Sequence, residues 1–261
     1  MDINLKGKNA LVCGSSKGIG KAAAIALAKL GANVTLVARS ATIMADLVQE
    51  LDDKQGQKHD FLQADFADSV DLKKKITGLI SGKTIHILIN NTGGPPGGPI
   101  VDAQVEEFQQ AFHNHLICNH ILTQAVIRGM KAEGFGRIIN VISTSVKQPI
   151  PGLGVSNTIR AAVANWAKTM AGELAPFGIT VNNVLPGMTS TDRLQEIIDG
   201  NAEKQSTTSD AVSEQMIREI PAGRFAEAAE IAAGIAFLAS PAASYITGIN
   251  LPIDGGRTRT L

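Results

Sequence analysis

Apolar positions along this chain follow two alternating rhythms. Short β-rich runs at residues 9–14, 33–38 and 60–65 are separated by stretches at 20–31 and 41–55 whose apolar positions recur with helical spacing. Strand and helix in strict alternation predict a parallel sheet with helices on both faces. Further strands are predicted at 85–90, 136–143, 179–186 and 248–255. The expected architecture is an α/β, Rossmann-type doubly wound sheet of seven parallel strands. No repeat or linker divides the chain, so residues 1–261 are expected to form one domain. Gly31 and Gly178 stand just past helical runs, where C-terminal caps belong.

Two stretches break the rhythm. Residues 91–99 hold four glycines and three prolines directly after a predicted strand, a loop whose backbone can approach a ligand closely. Residues 190–215 are polar, with one weak amphipathic stretch and many flexible residues, which suits a mobile lid spanning about residues 189–220. Both follow predicted strand ends, where α/β sheets bind ligands.

Composition narrows the function classes. Hydrophobic residues make up 44% of the 261 and charged residues 18%, which is globular composition, and 24 basic residues balance 24 acidic ones. No net field draws the chain to nucleic acid or anionic lipid, so neither is expected as a partner. Cys13 and Cys118 lack CxxC or metal-ligand spacing and read as buried free thiols in a reducing compartment. With no export signal and no apolar run of bilayer length, a cytoplasmic protein is expected. His113, His115 and His120 are badly disposed on a helix for zinc, and no metal is expected.

The glycine-rich turn carries the first chemistry. Gly14, Gly18 and Gly20, with Ser16, Lys17 and Ile19 between them, follow the first strand and open the first helix. Such a turn lets a phosphate approach the backbone and meet the free N–H groups of a helix N-terminus. Arg39 and Ser40 close the second strand where an NAD site would carry Asp or Glu. With Lys17 they favour the extra phosphate of NADP(H), the other reading being cations solvated at the surface.

The chain resembles the short-chain dehydrogenase/reductase family, and within it the 3-oxoacyl-carrier-protein reductase-like members, over nearly its whole length. The resemblance rests on CGSSKGIG (13–20), Asp65 in QADFAD, LINNTGG (88–94), GRIINVIS (136–143), VNNVLPG (181–187) with Thr191, and SYITGINLPIDGG (244–256). It implies that Asp65 and Phe66 meet the adenine, that Asn91 and Gly93 line the ribose side, and that Pro186, Gly187 and Thr191 hold the nicotinamide end. A small-molecule carbonyl or alcohol substrate is implied, as is a homotetramer packed through helices near 104–131 and 156–175.

At the catalytic group the chain departs from the family's Asn, Ser, Tyr and Lys. The resemblance gives Ser143 for the serine, Ser156 in the tyrosine slot, Arg160 in the lysine slot and, counting back through an apparently ungapped helix, His115 in the asparagine slot beside Asn114. The one tyrosine, Tyr245, belongs to another motif. Ser156 falls short of a phenol's reach; it either holds a bridging water or caps the helix. Arg160 cannot donate the proton but can bind ribose, a carboxylate or a carbonyl, or form a structural salt bridge. Lys147 and His115 are candidate proton donors, against a solvated loop charge and a satisfied interface histidine. Two functions stay open: a carbonyl-reducing NADP(H) enzyme with a non-standard catalytic group, or a non-catalytic NADP-binding sensor or partner subunit.

Overall fold

Seven strands, all pairing in parallel, carry the molecule, whose residues 1–260 are described by a computed structural model. They are β1 (Asn9–Cys13), β2 (Asn33–Ala38), β3 (Asp60–Gln63), β4 (Ile87–Asn90), β5 (Gly136–Val141) and β6 (Ile179–Pro186), with a last strand at Asn250–Ile253. Between them run helices α1 (Gly18–Lys29), α2 (Ala41–Glu50), α3 (Ser69–Gly82), α4 (Val105–Phe112), α5 (Cys118–Glu133) and α6 (Gly154–Leu174). Beyond β6 come a two-residue strand β7 (Thr189–Ser190), helices α7 (Asp192–Gln205) and α8 (Ser209–Arg218), strand β8 (Ala226–Glu227) and helix α9 (Ala228–Ala239). The strand at Asn250–Ile253 is then β9.

The sheet order is β3-β2-β1-β4-β5-β6-β9, and all its pairings are parallel, as the alternation of runs predicts. Strand order reverses between β1 and β4, which opens a crevice beyond their carboxyl ends. Side chains alternate across the pleat into two apolar layers. Ala10, Val12, Val34 and Leu36 pack under α1, α2 and α9, while Leu11, Cys13, Val37 and Leu88 pack under α3, α5 and α6. Ala23 and Ala24 let α1 lie close to the sheet, and Leu27 fills the layer beside Ile231 and Ile235 of α9. Each fully buried leucine or isoleucine here stabilises by about 1.5–3 kcal/mol over its exposed state.

Gly31 (φ +96°) and Gly178 (φ +71°) take the left-handed conformation just past helical turns, as their positions predict. A row of asparagines crosses the sheet: Asn90 donates to Asn140 (2.9 Å), Asn140 to Asn183 (2.9 Å), and Asn183 to Asn250 (2.8 Å). It ties β4, β5, β6 and β9 together through side chains as well as backbone.

Two expectations change. Residues 190–215 are a helical hairpin rather than flexible chain with one weak helix: Leu194, Ile198 and Ala202 of α7 pack on Val212 of α8 in an apolar cluster of their own. Its ends are clasped by pairing of β7 with β8. The helix carrying His115 is also not continuous: a π-helical turn at His113–Ile117 separates α4 from α5. The wider turn swings His115 inward, where it is 2% exposed.

Candidate active site

The crevice floor is the glycine-rich turn between β1 and α1. Gly14 has φ +59°, and a Cβ there would lie 2.6 Å from the carbonyl oxygen of Asn91; one on Gly20 would lie 2.1 Å from that of Gly14. Only glycines allow this crossing of chains. Asn91 locks it, its Nδ2 donating to the carbonyls of Cys13 and Gly14, both at 3.3 Å. Helix α1 starts at Gly18 with no side-chain cap and no acidic residue in its first turn, leaving its first N–H groups open to an anion.

Arg39 is exposed at the end of β2, and Ser40 caps α2, its Oγ accepting from the Ile43 N–H (3.4 Å). Lys17 is not simply solvated, because its Nζ pairs with Asp192 of α7 at 2.8 Å. Asp65 is exposed and turns its carboxylate onto the Ala67 N–H (3.0 Å), while half-buried Phe66 accepts from Cys118 Sγ through its carbonyl (3.1 Å). Gly93 has open space where a side chain would be. Gly187 after Pro186 lies against Asp254, and Thr191 caps α7, its methyl 3.3 Å from the place of a Cβ on Gly18. These residues fit a dinucleotide: an uncapped helix end for pyrophosphate, a cation and a hydroxyl at the end of β2, and open space at Gly93.

The residues singled out for carbonyl chemistry cluster around the end of β5. Ser143 Oγ accepts from the Ser145 N–H (3.1 Å), which fixes the oxygen and leaves its own proton to donate. Lys147 is half-buried at the end of the same short turn, four residues on. Arg160 is 7% exposed on α6, and its Nη1 donates to the Val141 carbonyl at 3.0 Å. Burial, then the nearby Arg193 cation, pulls its pKa down to about 10, so it stays charged at neutral pH. Among the described residues it makes no ion pair, which removes the salt-bridge reading.

Ser156 is half-buried inside α6, one turn before Arg160. It is not the helix cap: that position is Leu153, and the helix begins at Gly154. His115 is corrected as well. Burial and then Arg160 push its pKa down to about 2, so it stays neutral and cannot relay protons by charging at physiological pH. Its Nδ1 meets the hydroxyl of Thr92 instead. Asn114 beside it accepts from Gln110 (2.8 Å). Tyr245 is fully exposed, and its neighbours Ile246 and Thr247 bond Asn182 and Val181 near the start of β6, the far end of that strand from Pro186.

Sequence reading missed Thr92 and Arg193. Thr92 stands in the glycine-proline loop that was singled out, and Arg193 follows Thr191 by two residues. Only the fold brings them beside His115 and Arg160.

The family described as Enoyl-(Acyl carrier protein) reductase matches residues 14–258. The chain belongs to the short-chain dehydrogenase/reductase family. Among its relatives, a 3-oxoacyl-[acyl-carrier-protein] reductase of Vibrio cholerae is 36% identical over 97% of this chain and 98% of its own length. A 2-dehydro-3-deoxy-D-gluconate 5-dehydrogenase of Bacillus subtilis is 34% identical over 97% and 95%. Among solved structures, L-sorbose reductase from Gluconobacter frateurii, complexed with NADPH and L-sorbose, superposes with a TM-score of 0.93 at 30% identity, covering 100% of both chains. No helix of the described residues is long and apolar enough to cross a membrane.

Proposed function

We propose that this member of the short-chain dehydrogenase/reductase family is an NADP(H)-dependent oxidoreductase that reduces a ketone or aldehyde carbonyl through a non-standard catalytic group. The cofactor, held by the glycine turn, Arg39, Ser40 and the Gly93 side of the crevice, supplies the hydride. Ser143 donates its hydroxyl proton as a hydrogen bond to the carbonyl oxygen and draws charge onto it. Arg160 binds and orients, since a guanidinium does not give up its proton at neutral pH. Ser156, too short to reach, holds a water that delivers the proton, with Lys147 close by as a second source.

One observation carries this reading: at the end of β5, Ser143 Oγ is held by the Ser145 N–H with its own proton left to donate, and Arg160, bound to the carbonyl of nearby Val141, is a buried cation with no ion pair among the described residues. Relatives named for 3-oxoacyl-carrier-protein, sugar-acid and sugar carbonyl chemistry support a polar carbonyl substrate. The reading includes one dinucleotide-binding domain with residues 189–220 as its lid, a cytoplasmic setting and a homotetramer. Exposed Val105, Phe112 and Ile117 between residues 104 and 131 support the oligomer.

The test is fluorescence titration with NADPH and NADH, followed by a panel of ketones, aldehydes and 3-oxoacyl thioesters. NADPH binds and is consumed, and Ser143→Ala lowers kcat by about 10²- to 10³-fold. Tight NADPH binding without consumption, indifferent to Ser143→Ala, makes the protein a sensor or partner subunit instead.

A further inference from the structure

Two guanidinium groups approach one another in the site with no carboxylate of the described residues between them. Arg160 Nη2 and the Nε and Nη2 of Arg193 each lie 3.9 Å from a single point, the position a Cβ on Gly94 would take. Gly94 has no side chain to fill that point, and apart from its chain neighbours no other described residue approaches it more closely. A guanidinium carries five N–H donors, and the protein engages Arg160 through the Val141 carbonyl. Arg193 is better supplied, donating from Nη2 to the Pro95 carbonyl (2.8 Å) and pairing Nη1 with an exposed Glu196 (3.3 Å).

Buried cations persist when something pairs them, and like charges facing each other raise the need. Glu196 offsets Arg193, which leaves one positive charge in the cluster, on the buried Arg160. The neighbours Thr92 and His115 add none, His115 being neutral. One monoanion balances the cluster; a dianion would overshoot. A planar carboxylate also matches two guanidinium forks, and it would sit close to Ser143, since Arg160 grips the backbone two residues before that serine.

We propose that Arg160 and Arg193 together hold the carboxylate of an oxo-acid substrate, an inference that rests on the carbonyl-reductase reading of the site. The oxo group gains a hydride at carbon from reduced nicotinamide, which becomes oxidised, and a proton at oxygen from solvent; the product is the hydroxy acid. Ion pairing draws electron density from the carboxylate, and through it from an adjacent carbonyl, easing hydride addition where no phenolic acid assists. Arg193 enters on the lid hairpin, so the carboxylate also gives the lid something to close upon.

The experiment pairs 2-oxo and 3-oxo acids with neutral methyl ketones and amides of matched length, using full-length protein and NADPH. The acids are preferred in kcat/KM by about 10-fold or more, and Arg193→Gln removes the preference mainly through KM while NADPH affinity holds. A second arm measures calorimetric binding of oxamate and of its neutral amide to the protein with bound NADP+. Oxamate binds, the amide does not, and Arg193→Gln abolishes the difference. Equal use of neutral carbonyls overturns the inference and leaves the reductase reading standing. If nothing is reduced, the reductase reading fails, and the calorimetric arm alone decides whether a carboxylate is bound. Inorganic phosphate outcompeting oxamate, or Arg193→Gln weakening NADPH without touching the acid preference, assigns the pair to a phosphate and overturns the inference.

Discussion

Arg160→Met should make the ligand-free protein more stable. Burial, aided by Arg193, lowers the Arg160 pKa from the ordinary guanidinium value to about 10. At about 1.4 kcal/mol per pKa unit, holding this cation in the fold costs about 3 kcal/mol at neutral pH. The sign follows from linkage. The unfolded chain binds this proton more tightly, so the cost is full below about pH 10 and is relieved as pH rises from about 10 toward the ordinary guanidinium value. Methionine keeps most of the aliphatic stem and removes the charge, at the loss of the bond to the Val141 carbonyl, about 1–2 kcal/mol. A net gain of about 1–2 kcal/mol remains, or roughly 3–6 °C in Tm for a chain of this size. The assay is thermal and urea unfolding at pH 7 without ligands, on the wild type, Arg160→Met, Arg193→Met and the double variant. Each removal should lessen the benefit of the other, because each relieves the same repulsion. Loss of more than about 1 kcal/mol in Arg160→Met would refute the idea of an uncompensated cation and make Arg160 a structural residue.

Three further outcomes are expected. His115 titrates near 6.5 when unfolded and about 2 when folded, so its contribution to stability is complete above about pH 6.5 and is lost as pH falls; His115→Asn flattens the acid limb of a urea-midpoint profile by up to about 1.4 kcal/mol per pH unit, and the wild-type kcat profile shows no inflection from this residue. Arg39→Ala raises the Kd for NADPH about 10-fold or more and leaves NADH unchanged in fluorescence titrations, whereas equal weakening of both would move the phosphate site elsewhere. Asn140→Ala strips a partner from both Asn90 and Asn183 and lowers stability by roughly 2–4 kcal/mol in chemical unfolding; a loss below about 1 kcal/mol would mean that the asparagine row adds little beyond the backbone ladder.

Much of the fold was legible because its signals are local. The runs at 33–38 and 179–186 fall on β2 and β6 residue for residue, since short segments rich in β-branched residues and bounded by glycines or turn residues leave little choice of state. The glycine turn was legible for a different reason: Gly14 and Gly20 are demanded by a backbone crossing too close for any side chain. The lid hairpin was not, because α7 and α8 each bury a narrow apolar stripe against the other and look polar when read singly. At the site, the identity of Ser143, Ser156 and Arg160 was readable by position. Their states were not.

The sequence by itself determined the order of strands and helices, the glycine-rich turn, the cation at the end of β2 and the presence of a single tyrosine, in another motif. Each depends on residue type and spacing along the chain. Tertiary structure alone decided that His115 is neutral, that Arg160 is buried without an acid partner among the described residues, and that Arg193 approaches it beside Gly94. Those properties depend on what surrounds a charge in space, and the surroundings come from β4, β5, α6 and the lid, segments far apart in the chain that meet only when the sheet has formed.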